Sequence, residues 1–406
     1  MTRVLGSRQQ GGGVTRPFVM LGLIAVVEWL GMAGWFAGGA LASQLAAAWH
    51  LTPGEVAWLT SAVQLGFVVG TLLAALLNLA DLVPARWLVS IAALAASVAN
   101  GSMVLVDGFG GALLTRFLLG LCLAGVYPPA MKMAATWFRD HRGLAIGVVV
   151  GALTIGKASP YFVEALGGLS LEVVVGSTAG AAAVAGLLVA AFYRDGPFAF
   201  PTRPFSWRLV GEITRVPVLR LVTAGYLGHM WELYAFWSFI AAYWAAALRS
   251  PSPATVAALA GSSIAIGAVG CVVGGLAADR IGREPVVLWS LAVSGAAAIG
   301  SAIVFQGPAW LRLLVIFTWG VAIIADSAQY SALVTELAPP HAVGTALTLQ
   351  TSLGFLLTMA AIQLVAALGG PSTPWAFPAL AVGPALGFLA IRTLAGRRLA
   401  AAAAAA

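Results

Sequence analysis

The sequence has few charged residues and very few cysteines. Charged residues make up 9% of its 406 residues, and only two residues are cysteines. Cys122 and Cys271 lie in different halves of the chain, within apolar stretches, so they predict no disulfide framework. Hydrophobic residues make up 61% of the chain, more than the core of a soluble protein can bury. The composition therefore predicts a polytopic membrane protein.

The sequence also lacks the motifs of several functional classes. It contains no ATP-binding loop, no cluster of metal ligands and no nucleophile–base set, so it predicts no enzyme and no cofactor. The net charge of +7 does not indicate nucleic-acid binding, because the basic residues are spread over many segments rather than clustered beside aromatic readers.

Apolar stretches of about 20 residues predict twelve membrane-spanning helices. The first stretch is not predicted to be a signal peptide, because it contains Glu28 and is too long for the apolar region of one. The predicted limits are 17–42, 55–78, 86–106, 110–136, 143–166, 172–193, 220–247, 255–277, 285–305, 310–335, 342–369 and 374–394.

The positions of the basic residues predict the orientation of the chain in the membrane. Lys and Arg in short loops are retained on the cytoplasmic side of a membrane. With the twelve spans in place, Arg249 is the only base in a loop on the opposite side. Both termini are therefore predicted to be cytoplasmic, in a protein of the inner membrane.

A repeated turn divides the chain into two halves. LADLVPAR at 79–86 and GLAADRIGR at 275–283 are versions of one signature, with Asp81 and Asp279 lying 198 positions apart. A repeat at about half the chain length is typical of a duplicated transporter. The predicted organisation is a tail at 1–16, a six-helix bundle at 17–193, a linker at 194–219, a second six-helix bundle at 220–394 and an Ala-rich tail at 395–406. Neither tail is assigned a fold.

These features together resemble the major facilitator superfamily of secondary transporters. The resemblance implies an all-α membrane fold of twelve transmembrane helices in two pseudo-symmetric six-helix bundles. It also implies that the repeated turn is a latch that stabilises one of two alternating conformations, although a simple positive-inside anchor is the alternative. The first copy has Leu77 and Pro84 where the family pattern has glycines. The predicted latch residues are Asp81, Arg86, Gly275, Asp279, Gly282 and Arg283.

Three further features of the sequence indicate which branch of the family it resembles. Arg116 and Gly120 in RFLLG resemble the fourth-span motif of the family. GVYPPAMKMAATWFRDHRGLAIG at 125–147 resembles the same region of the oxalate/formate, monocarboxylate and nitrate-type porters, which carry small anions. Gly151 is followed by Ala152, whereas the exporter pattern has Gly-Pro, so the pattern disfavours a drug exporter.

Acidic side chains inside the spans predict proton coupling, because an ionisable group in a bilayer is costly and is usually functional. Glu28 and Glu232 each lie twelve residues beyond an Arg at the start of their span, about 18 Å along the helix. His229 lies one turn before Glu232, and Asp326 lies about 15 Å inside the edge of span ten. Glu28, Glu232, Asp326 and His229 are the predicted proton-coupling residues. The alternative is that they form fixed salt bridges or hydrogen-bonded core pairs.

Basic side chains inside the spans predict an anionic substrate. Arg116 and Arg312 lie 196 positions apart, and a guanidinium from each half can hold an oxyanion by paired hydrogen bonds. Lys157 lies about 22 Å along span five and is predicted either to bind the substrate or to pair with Glu164. For Arg312 the alternative is a base that reaches the membrane interface. The predicted substrate-binding residues are Arg116, Lys157, Arg312, Tyr161, Trp231 and Gln64.

The sequence as a whole predicts a monomeric secondary transporter that moves a small anionic solute by alternating access, either coupled to protons or by exchange. Its predicted partners are the solute, protons and the lipid bilayer. One alternative is a proton-driven exporter of amphipathic or cationic compounds, with a pocket formed by Trp35, Phe36, Trp231 and Trp237. A third class is a transporter-like receptor or scaffold that binds a ligand without moving it.

Overall fold

The computed structural model describes residues 15–138, 142–166, 170–198, 205–370, 373 and 375–405. All regular elements in these ranges are helices. The first half contains α1 (Thr15–Gly31), α2 (Ala37–Ala40), α3 (Ala42–Trp49), α4 (Pro53–Leu76), α5 (Leu79–Leu82), α6 (Ala85–Gly101), α7 (Phe109–Leu123), α8 (Tyr127–Ala135), α9 (Arg142–Ala165) and α10 (Leu171–Phe192).

The remaining helices form the linker and the second half. They are α11 (Trp207–Ile213), α12 (Pro217–Ala247), α13 (Pro253–Ala265), α14 (Gly267–Ile281), α15 (Arg283–Ile303), α16 (Ala309–Ala325), α17 (Ser327–Leu337), α18 (Val343–Ala367) and α19 (Val382–Ala405). Short 3₁₀ segments at Ser102–Leu105 and Pro378–Ala381 extend α6 and precede α19.

Ten segments in the described part of the chain are long and apolar enough to cross a membrane. The other two predicted spans are the first, which is interrupted, and the seventh. The seventh span is α12, a continuous helix of 31 residues whose polar and aromatic side chains include His229 and Glu232. Both of these spans pack inside the bundle, α1 against α9 and α10, and α12 against α18 and α19.

The first span is interrupted between Gly31 and Ala37. A helix that ends inside a membrane leaves backbone carbonyl groups without partners, and these must be satisfied by protein. The carbonyl of Gly34 accepts a hydrogen bond of 3.1 Å from Arg116 on α7. The break therefore has a partner built into a neighbouring helix.

Glycines set the close packing of α4 on α7. A Cβ atom on Gly66 would overlap the carbonyl of Phe117, and one on Gly120 would overlap the carbonyl of Val63. The two backbones therefore approach at reciprocal glycines, which is the usual device for helix contact in a bilayer. This contact explains the small residue in the RFLLG motif.

The two ends of the bundle carry different turns. We call the end with the turns at 77–84 and 281–283 the basic face, and the end with the turns at 49–53 and 248–253 the far face.

The linker at 194–219 includes α11, which packs on α18. At the C-terminus, α19 continues without interruption to Ala405, so the Ala-rich tail extends the last span as helix. Residues 1–14 of the N-terminal tail lie outside the described residues.

The halves meet mainly along two pairs of spans. The first pair is α4 with α18, and the second is α9 with the span that α13 and α14 form together. On the second, the carbonyl of Cys271 lies where a Cβ of Gly147 would be, so these backbones are in close contact across the halves. The cavity described next lies between the two pairs.

Candidate functional site

A cavity of about 410 Å³ lies between the halves on the side of the basic face. Its mouth is lined by residues at helix ends, among them Asn78, Lys132 and Glu336. Its inner end is lined by Tyr226 and Phe355, which lie about 14 and 18 Å from the starts of their helices. The volume is that of a small-molecule site.

A cluster of aromatic side chains separates this cavity from the far face. We call it the aromatic plug, and its members are Trp35, Phe36, Phe67, Tyr234, Trp237 and Phe355. Ring centroids of Phe67 and Phe355 are 4.6 Å apart, and those of Trp35 and Tyr234 are 5.7 Å apart. Since each pair joins one half to the other, the plug closes the far side of the interface. Nearby, Thr358 on α18 donates a hydrogen bond to Gln64 on α4.

Lys157 lies within this plug. Its side chain is 1% exposed, and its ammonium lies 4.2 Å from the ring centroid of Trp35 and 5.2 Å from that of Trp237. The ammonium donates a hydrogen bond to the hydroxyl of Tyr234 across the two halves. No carboxylate oxygen of the described residues lies within 4.0 Å of Lys157 Nζ. The ammonium thus pairs with Tyr234 rather than with Glu164.

Glu28 lies close to Lys157 on the N-terminal side. It is fully buried, and neither carboxylate oxygen has a hydrogen-bond partner among the described residues. The positive charge of Lys157 is within electrostatic range of it. Glu28 is not among the described residues that line the cavity.

A second acid lies behind the opposite wall of the cavity. Asp326 stands at the break between α16 and α17, with one oxygen 2.9 Å from Nδ1 of His229. Its other oxygen accepts a hydrogen bond of 3.0 Å from Tyr330. The ring of Tyr226 stacks on His229 and lines the cavity. The partners of Asp326 are therefore His229 and Tyr330, both in its own half.

Glu232 is held by two donors in the core of the C-terminal half. Ser294 donates a hydrogen bond of 2.6 Å to one oxygen, and the indole of Trp319 donates one of 3.1 Å to the other. The two carboxylates, each twelve residues beyond an Arg, therefore have opposite surroundings: among the described residues, Glu232 has a donor on each oxygen and Glu28 has none.

The two predicted anion-binding arginines contact their own halves. Arg116 is fully buried and donates to the Gly34 carbonyl and, at 2.5 Å, to the side chain of Asn100. Arg312 donates to the carbonyls of Ala247, at 2.6 Å, and Phe305, at 3.0 Å. Neither arginine is among the described residues that line the cavity. The observed contacts of both are structural, and their predicted role toward substrate remains a prediction.

The other predicted binding residues are dispersed. The hydroxyl of Tyr161 is buried without a hydrogen-bond partner among the described residues, and it lies next to Gly39. The indole of Trp231 donates at 3.4 Å to the carbonyl of Ala379, away from the plug. Gln64 joins α4 to α18 through Thr358. Four aromatic residues were predicted to form the pocket of an exporter. Trp35, Phe36 and Trp237 lie together in the aromatic plug, and Trp231 lies outside it.

The second copy of the latch turn contacts both halves. The carboxylate of Asp279 occupies the space where a Cβ of Gly143 would be. The carbonyl oxygen of Gly143 in turn occupies the space where a Cβ of Gly275 would be. Asp279 thereby faces the start of α9, where the helix dipole favours an anion. Gly282 has a φ of 91°, a conformation that favours glycine in this turn.

Arg283 follows in the same turn, at the cavity mouth. It donates hydrogen bonds of 2.5 Å to Glu336 and 3.0 Å to Gln329, both within its own half.

The first copy of the turn differs. Arg86 donates to the carbonyl of Ala190 on α10, within its own half, and its guanidinium lies 5.0 Å from the ring of Trp87. Asp81 is in α5, and its side chain lies outside the described residues.

Sequence reasoning missed several partners. Asn100, which orients Arg116, is marked in the sequence only as a polar residue in an apolar span. Tyr234 is an ordinary aromatic residue of its span, and only the fold brings it to Lys157. Ser294 and Trp319 could not be assigned to Glu232 without knowing which helices pack on α12.

Comparison with known proteins supplies a second line of evidence. The sequence profile of the Major Facilitator Superfamily matches residues 24–362. No curated protein sequence matches the chain. Two crystal structures resemble the fold closely. One is a bacterial homolog of the human lysosomal transporter Spinster, in an inward-facing and unoccupied conformation, with 14% identity and a TM-score of 0.71, covering 95% of this chain and 99% of that one. The other is a D-xylose–proton symporter, with 15% identity and a TM-score of 0.71, covering 93% and 97%.

Proposed function

Since this chain belongs to the Major Facilitator Superfamily, and so is a multi-pass secondary transporter of the membrane, we propose that it moves a small organic anion with an apolar part. We further propose that transport is coupled to protons and that the basic face is cytoplasmic, in the inner membrane. The predicted all-α membrane fold is confirmed by the helices and by the transporter structures that resemble it.

The observation that carries the proposal is the state of Lys157. A buried ammonium requires a partner, because desolvation of a charge costs several kcal/mol. Here the partners are a phenol hydroxyl and aromatic faces, which stabilise the cation without neutralising it. A substrate carboxylate that replaces Tyr234 would supply the missing negative charge.

The cavity supports an organic rather than an inorganic anion. Its inner end is formed by Tyr127, Tyr226 and Phe355, and these rings favour an apolar group on the substrate. The charged side chains of the described lining are Lys132 and Arg283 against Glu336, so the lining carries a positive excess that favours anions.

The same geometry disfavours the alternative functions. In the exporter reading, Trp35 and Trp237 would bind a cationic substrate, but these rings already surround the ammonium of Lys157. A receptor or scaffold would not need a cavity closed on one side by contacts between the halves. The experiment below separates these possibilities.

The test is uptake of radiolabelled monocarboxylates and dicarboxylates by proteoliposomes with an imposed pH gradient, compared with uptake of lipophilic cations. We expect organic-anion uptake that Lys157→Met reduces at least tenfold. Arg249→Met is the matched control, because it also removes one positive charge but at an exposed position on the far face, outside the described lining of the cavity. An equal loss in both variants would show a general charge effect, and uptake of cations alone would overturn the proposal.

A further inference from the structure

Two tryptophans of the aromatic plug carry hydrogen-bond donors without acceptors. Trp35 is 2% exposed and Trp237 is fully buried, and neither indole nitrogen has a hydrogen-bond partner among the described residues. Trp244 and Trp319 are buried to the same extent, and both donate to side chains of their own half. A buried indole N–H usually finds a partner, because an unpaired buried donor is costly. The two unpaired indoles of the plug therefore call for an explanation.

The polar groups of the plug are donors rather than acceptors. The ammonium of Lys157 has three N–H groups, and one of them donates to the oxygen of Tyr234. The hydroxyl proton of Tyr234 has no acceptor of its own among the described residues. The remaining members besides the two tryptophans are phenylalanines, which have no polar side-chain atom. The plug thus has a surplus of donors and no free side-chain acceptor.

These donors come from both halves and lie around the Lys157 ammonium. The ammonium is 4.2 Å from the ring centroid of Trp35, in the N-terminal half, and 5.2 Å from that of Trp237, in the C-terminal half. The cavity adjoins this cluster through Phe355, which lines its inner end and whose ring centroid lies 5.2 Å from that of Tyr234. A solute at the inner end of the cavity is therefore one ring away from the ammonium.

We propose that the aromatic plug is the closed form of an oxyanion site, in which the indole N–H groups of Trp35 and Trp237 bind the oxygens of a substrate carboxylate held by Lys157. This inference rests on the proposed function and names further residues that recognise the charged end of the substrate. Because the two indoles belong to different halves, a group with two oxygens can accept one hydrogen bond from each half.

The site distinguishes a carboxylate from groups of the same shape. An ionised carboxylate only accepts hydrogen bonds, so it matches a set of groups that only donate. A primary amide presents an NH₂ group where the carboxylate has its second oxygen, and that donor would meet another donor in the plug. Selectivity for the acid over its amide therefore comes from the indole N–H groups as well as from the charge of Lys157.

The experiment measures binding to the purified full chain in detergent by isothermal titration calorimetry. Hydrocinnamate is compared with its primary amide, which has the same carbon skeleton, and hexanoate and hexanamide form a second pair with a different apolar part. We expect each acid to bind at least tenfold more tightly than its amide.

The matched variants remove an N–H group and keep an aromatic ring. Trp35→Phe and Trp237→Phe should each weaken binding of the acid about tenfold and leave binding of the amide nearly unchanged. Trp231→Phe is the control, because its indole already donates to the Ala379 carbonyl outside the plug, and its acid-to-amide ratio should stay that of the parent protein. If the two rings only packed the plug, their loss would weaken acid and amide alike.

An acid-to-amide ratio that is unchanged in both plug variants would overturn the proposal and leave the proposed function intact. Failure of both acids to bind the parent protein would overturn it as well. Since the two donors lie on different helices, either variant alone decides the question if the other fails to fold. Acid binding that depends on both indoles, in a protein that shows no uptake in proteoliposomes, would support this site and overturn the proposed transport, so the two proposals fail separately.

Discussion

Arg116 donates a hydrogen bond of 3.1 Å to the carbonyl oxygen of Gly34, at the break in the first span. Trp35 and Phe36, two members of the aromatic plug, lie within this break. A base on α7 thus fixes the backbone from which both rings project into the plug. Its second bond, to Asn100, ties the same guanidinium to α6.

Arg116→Gln should destabilise the protein, because the Gly34 carbonyl and Asn100 would lose a charged donor in a buried site. The expected loss is about 2 kcal/mol, measured as a lower midpoint of thermal unfolding in detergent. Arg215→Gln, at an exposed arginine of the linker, should leave the midpoint unchanged. A stable Arg116→Gln protein that has lost only substrate affinity would instead favour the anion-binding role predicted from sequence.

Gly120→Val should destabilise the contact of α4 with α7. The added side chain would overlap the Val63 carbonyl, and overpacking of this kind costs about 1 to 3 kcal/mol. Gly180→Val is the control, because no heavy atom lies within 4 Å of a Cβ at that position. The measurement is thermal unfolding of both variants in the same detergent, and equal midpoints would contradict the described helix contact.

A disulfide between Gln64→Cys and Thr358→Cys should stop transport. The two side chains are hydrogen-bonded across the halves near the plug, so a covalent link would hold the far face closed. Uptake in proteoliposomes should fall on oxidation and return on reduction, in a background without native cysteines. The controls are the two single-cysteine variants treated with the same oxidant, which cannot form the link and should keep their uptake. Full activity of the oxidised Gln64/Thr358 pair would show that this interface does not open.

The fold could be predicted from the sequence because the length of each apolar stretch and the repeated turn are local features. Apolar length located the helices, and ten of the twelve spans recur as segments able to cross the membrane. The break in the first span was not predicted, because it depends on a partner from α7 that the local sequence does not show. The continuation of α19 to Ala405 was likewise missed, since an Ala tract is compatible with both a helix and an unstructured tail.

The residues of the site were predicted less evenly. Glu28 and Lys157 were found because any charge inside a bilayer stands out against an apolar background. Their partners were not, because Tyr234 lies 77 positions from Lys157 and joins it only when the halves pack. Trp231 and Trp237 are six residues apart on one helix, and composition alone could not tell which of them faces the plug.

The position of Lys157 within the aromatic plug has a consequence for substrate selectivity. Tyr234 and the surrounding rings act as an internal competitor, so an arriving solute gains only the difference between its own interaction with the ammonium and the one it displaces. Weak ligands, such as water or a neutral hydroxyl compound, gain nothing by this exchange. Only a solute that binds the Lys157 ammonium more strongly than the Tyr234 phenol does can therefore break the contact that joins the two halves.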